Sequence, residues 1–181
     1  MSTSSKEATK NSSFYMSDNL EYEKEYNKAN VFRPKPKGIL IFDSFNNSFF
    51  PLDIVTIDKG DFNLKSYISE FRKKYGGSES QDLFMPFHYS VELIGKTYFP
   101  VQTRPIMYRS KVPGYEEYIT ICIMGNSEID VYPHSLYKIL AHTIINSLHY
   151  IPSFSLDPNG KTEYHKLGVQ FKVEQLKKHF R

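Results

Sequence analysis

Tryptophan is absent from the 181 residues, and cysteine occurs once, at Cys122. A single thiol excludes an intramolecular disulfide and a multi-cysteine zinc site. No apolar run approaches the roughly 18–20 residues that cross a bilayer, so no membrane insertion is expected. The first thirty residues contain no arginine, and Met1 to Lys6 lacks the apolar core of a secretory leader. These absences make cytoplasm or nucleus the expected location. Three catalytic patterns are missing as well: the G-x-x-x-x-G-K-[ST] loop that cradles nucleotide phosphates, the G-x-S-x-G elbow of serine hydrolases, and the zinc-binding H-E-x-x-H helix.

What is present is ordinary for a globular chain: 40% hydrophobic and 24% charged residues, in a length that suits one domain. The formal net charge of +3 is too small to imply nucleic acid by itself. Its distribution is uneven, because residues 161–181 carry six cations against two acids. Fourteen tyrosines and fourteen phenylalanines add many side chains of a kind enriched at interfaces.

The strongest pattern runs from Glu117 to Ile151. Ile119, Ile121 and Ile123 alternate with Tyr118, Thr120, Cys122 and Met124, which is the period of a strand, with both faces apolar. Gly125-Asn126 is turn chemistry. Pro133 suits the first position of a helix reaching about Tyr150. Its apolar stripe is Leu136, Ile139, Leu140, Ile144, Leu148 and Ile151, and its polar face is Ser135, Lys138, His142, Asn146 and His149. Such a helix needs a sheet beneath it, and the isoleucine face is the nearest candidate.

Elsewhere the pattern predicts a buried strand over Ile39–Phe42 and a second strand over Phe50–Ile57. A helix is expected over Leu64–Tyr75, with Asn63 as its cap. Phe87–Leu93 reads as a half-exposed strand with Phe87, Tyr89, Val91 and Leu93 on one side. The stretch from Tyr98 to Tyr108, broken by Pro100 and Pro105, reads as an edge or an irregular arm. Asp157-Pro-Asn-Gly160 is a turn. Gly168 to Arg181 has helical spacing, with a strand over Leu167–Val173 as the alternative. Together these predict an α+β single domain: a mainly antiparallel sheet of about five strands packed by two amphipathic helices, with a C-terminal helix. Residues 1–36 form a disordered arm and linker, 37–152 the core, and 153–181 a turn and basic tail. Within the arm, Leu20, Tyr22 and Tyr26 could form a docking peptide.

Candidate reactive groups are few. Asp43 closes a strand, but the second aspartate of a phosphatase-type pair is replaced by Phe45. His142 and His149 lie two helical turns apart, roughly 10 Å at about 1.5 Å per residue, too far to share one ion. Cys122 sits mid-strand between isoleucines, a setting that does not lower a thiol pKa. Neither catalysis, cofactor nor metal is therefore expected. The basic C-terminal side chains Lys172, Lys177, Lys178 and Arg181, with Phe180, are the best contact candidates. The expected function is a non-catalytic protein-interaction or scaffold subunit of a larger intracellular eukaryotic assembly. The alternatives are a nucleic-acid-binding accessory protein that uses the basic tail, and a small enzyme whose site cannot be paired from sequence.

Overall fold

A computed structural model of the chain describes residues 35–45, 64–65, 68–69, 85–151 and 157–180. Leu20, Tyr22 and Tyr26, the strand expected at 50–57, most of the helix expected over 64–75, and Arg181 lie outside the described residues.

Five strands make one mixed sheet. They are β1 (Gly38–Asp43), β2 (Tyr89–Ile94), β3 (Thr97–Gln102), β4 (Tyr118–Ile123) and β5 (Thr162–His165), side by side in the order β3-β2-β4-β1-β5. The helices are α1 (His134–Leu148), the single turn α2 (Pro158–Lys161), and α3 (Val173–Lys177), which continues into a 3-10 turn over Lys178–Phe180. Strands and helices form an α+β single domain. The expected mainly antiparallel sheet is corrected: β4 runs parallel to both β1 and β2, β1 runs parallel to β5, and only the β2–β3 hairpin is antiparallel. Parallel strands occur where both faces are covered, and they read as near-continuous apolar runs. Every residue of β1 is buried, as is every residue of β4 after Tyr118.

The two faces carry separate cores. Ile39, Ile41, Val91, Ile119, Ile121 and Ile123 pack under α1 with Leu136, Leu140, Ile144 and Leu148, so the isoleucine face meets the helix stripe as its spacing required. Leu40, Phe42, Cys122 and Met124 form the opposite core with Leu64, Met85, Phe87 and Val112. Residues 64, 65, 68 and 69 are helical, and the first N–H there, that of Leu64, donates to the Glu92 carboxylate at 2.7 Å. This bond satisfies one of the amides that a helix start leaves unpaired. Helix α1 begins one residue later than expected, because Pro133 (φ −78°, ψ 168°) is its extended N-cap residue.

Covering both faces also changes β2. His88 and Ser90 are buried rather than solvent-facing, and Phe87 belongs to the core opposite to that of Val91. The C-terminal segment differs from expectation as well. Thr162–His165 adds β5 to the sheet, helix α3 starts only at Val173, and no strand forms over Leu167–Val173. Leu176 and Phe171 are buried in the α1-side core, so this segment closes the domain instead of trailing from it.

Ile121 is fully buried between β1 and β2. Ile121→Ala is expected to destabilise the fold by about 2–5 kcal/mol in denaturant unfolding, from lost burial plus the cavity left behind. Val131→Ala, at an exposed position, should stay within about 0.5 kcal/mol of the parent.

Candidate functional site

The strand order locates a special place on this sheet. The neighbours β1 and β4 are followed in sequence by strands on opposite sides of the pair: β2 lies beyond β4 and β5 lies beyond β1. Leu64 packs on one face of the sheet and α1 on the other.

A buried polar clamp lies at the carboxyl ends of β1 and β4. Asp43 and Ser44 end β1, and residues 124–133 leave β4. The Asp43 carboxylate accepts the Ser127 N–H at 2.9 Å and the Ser127 hydroxyl through the same oxygen. Ser127 Oγ in turn accepts the Gly168 N–H at 2.6 Å, and the Ser127 carbonyl accepts the Gln170 N–H at 2.9 Å. Ser44 Oγ accepts the Gly125 N–H at 2.9 Å. Gly125 holds φ +138°, and a Cβ there would collide with the Asp130 carboxylate. Gly168 lies so close to the backbone of Ser127 and Glu128 that any side chain would overlap it. Three connections are thus pinned to one another: those after β1, β4 and β5. Asp43, considered from sequence as a strand-end carboxylate, has this structural role.

Along the rim outside the clamp, exposed apolar side chains alternate with the exposed acids Glu128 and Asp130. Val131, Val169 and Ile129 are 77%, 68% and 64% exposed. At the same end of the sheet, Leu93 and Ile94 finish β2 and are also exposed. An aromatic floor supports the rim: Phe171 lies 5.5 Å from Tyr137, 6.2 Å from Tyr132 and 6.1 Å from Tyr164 between ring centroids. Tyr137 Oη accepts the Lys172 N–H at 2.8 Å, joining α1 to the C-terminal segment. Tyr132 Oη is buried without a hydrogen-bond partner among the described residues, and burial, followed by the Asp43 and Asp130 charges, pushes its pKa up. The rim residues were not singled out from sequence. Their one signal there is a set of β-branched residues placed in connections rather than in strands.

The other groups weighed from sequence go to separate places. Cys122 is fully buried, its Sγ directed at the Ile123 carbonyl, and burial ahead of the Asp43 charge raises its thiol pKa well above the usual value. That shift opposes nucleophilic activation. His88 Nε2 donates to the Tyr108 carbonyl at 2.8 Å, while Nδ1 accepts the Thr120 N–H at 3.0 Å. Those partners fix its tautomer and tie the 103–112 arm to β4, an arm anchored further by the buried Arg104, whose Nε donates to the Arg109 carbonyl. His142 and His149 are exposed on α1. Of the basic contact candidates, Lys172 Nζ donates to the Val169 carbonyl at 2.8 Å, Lys177 pairs with Glu174 at 3.6 Å, Lys178 is exposed, and Phe180 packs partly against the α1-side core. Among the described residues, no group of three or more His, Cys, Asp or Glu is placed to hold a metal ion, and no helix is long and apolar enough to cross a membrane.

Asp43→Ala strands two buried donors on Ser127 and is expected to destabilise by roughly 1–3 kcal/mol for each, measured by chemical denaturation. Tyr132→Phe should leave stability unchanged or raise it, because it removes a buried hydroxyl that has no partner among the described residues. A clear loss of stability in that variant would show that the hydroxyl is satisfied in solution.

No protein-family model matches the chain, and no curated protein matches it significantly, so the site is read from its geometry.

Proposed function

We propose that this chain is a non-catalytic interaction module, a subunit of a larger assembly, which docks a partner protein on the rim at the carboxyl ends of β1, β2 and β4. The carrying observation is the exposure of Ile129, Val131 and Val169 on connections that the Asp43–Ser127–Gly168 clamp holds in place. Large apolar side chains held outward by a rigid support lose little freedom on binding, which is how anchors contribute most to affinity. Tyrosines beneath them suit an interface with an apolar centre and a polar rim.

A second reading, nucleic-acid binding through the basic C-terminal segment, is favoured by one observation. His179 in that segment lies close enough to Lys138 of α1 to feel its charge, which brings a cation of α1 beside the basic C-terminal residues. Phosphate contacts from these cations would give salt-dependent affinity.

The tagged full chain is expected to recover a stoichiometric protein companion. The triple variant Ile129→Asp, Val131→Asp, Val169→Asp should keep the parent's thermal transition and lose that companion, with affinity falling by about tenfold or more per anchor. Recovery of the parent as a lone monomer, or a companion retained by the triple variant, would count against the docking rim. Retention on a nucleic-acid column that drops in Lys138→Glu, Lys178→Glu and weakens steeply with salt would favour the second reading instead.

A further inference from the structure

The C-terminal segment is held against α1 by two kinds of contact. One is apolar: Leu176 is fully buried, and Val173 and Phe180 pack partly into the same core. The other is a ring contact at the end of the chain, where His179 lies on His134, with centroids 4.5 Å apart and planes tilted by 57°. His134 is the first residue of α1.

We propose that the His134–His179 contact is a proton-sensitive latch, which keeps α3 and its 3-10 turn on α1 and loosens them when the His179 ring becomes charged. This inference is independent of what docks on the rim. The charged and titratable groups facing His179 from α1 are His134, Lys138 and His142. Its own segment supplies Lys177 and Lys178, and the nearby Glu174 is engaged by Lys177. The first turn of α1 has no acidic residue, and no side chain caps it. A proton on the His179 ring therefore meets like charge and the positive end of a helix dipole.

The direction of the pH effect follows from the packed state. Burial first, then His134, Lys138 and His142, hold His179 below the ordinary histidine pKa of 6.5. A group depressed in the packed state binds protons more readily once released. Its contribution to packing is therefore complete above the ordinary histidine range and is lost as pH falls through that range. Loosening would uncover the side of α1 that carries Tyr137, whose hydroxyl now accepts the Lys172 amide.

Amide hydrogen exchange of the full chain at pH 7.5 and pH 5.0, corrected for intrinsic rates, tests the latch. Leu176 and Lys178, whose N–H groups donate within the segment, report on it, and Ile121 in the centre of the sheet is the reference. Protection at Leu176 and Lys178 should fall relative to Ile121 on acidification, by up to about tenfold for each unit separating the released and packed histidine pKa values. His179→Phe, which keeps an aromatic ring but cannot titrate, should abolish that difference. In His134→Asn, the His179 NMR titration midpoint should rise towards 6.5. Protection that tracks Ile121 at both pH values, an equal loss in His179→Phe, or an unmoved His179 midpoint in His134→Asn would each overturn the proposal.

Discussion

The parallel pairing of β1 with β4, buried on both faces, is the constraint from which the rest of the structure follows. All twelve residues of the two strands are in register, from Gly38 opposite Tyr118 to Asp43 opposite Ile123. Parallel neighbours cannot be joined by a tight turn, so each strand must send its chain across a face of the sheet. Leu64, Met85 and Phe87 cover one face of the pair and α1 the other, which keeps its ladder dry. The same requirement forces both chains to leave from the same end of the sheet.

That end is where backbone and side-chain polarity must be reconciled with a dry interior. Strand ends expose amides and carbonyls that need partners, and a buried carboxylate needs donors. Asp43, Ser44 and Ser127 meet both needs together, and the close approach of Gly168 lets the C-terminal connection join the same clamp. Polar atoms spent in this way hold the loops still. Apolar tips on the same loops then project outward because the interior beneath them is already filled. The exposure of Ile129, Val131 and Val169 is thus a consequence of packing.

The C-terminal segment completes the α1-side core while keeping its cations outward. Leu176 and Phe171 face inward, whereas Lys172 and Lys177 bond to their own segment. A segment that contributes so few buried side chains is held by modest free energy, the condition under which a histidine contact can shift its equilibrium.

Local spacing alone determined much of this protein. The alternation of Ile119, Ile121 and Ile123, the stripe from Leu136 to Leu148 and the burial of Cys122 follow from periods of two and 3.6, and the edge position of the Pro100 strand from the missing proline N–H; all are properties of a single segment. The direction in which strands pair is not such a property, because a buried parallel strand and a strand at the centre of an antiparallel sandwich carry the same apolar run. Nor does local spacing show that Thr162–His165 supplies a fifth strand, that His88 and Ser90 are covered by an opposite layer, or that Asp43 meets Ser127 across 84 positions of chain. Those outcomes depend on which distant surfaces exclude water together, and only the tertiary structure decides that.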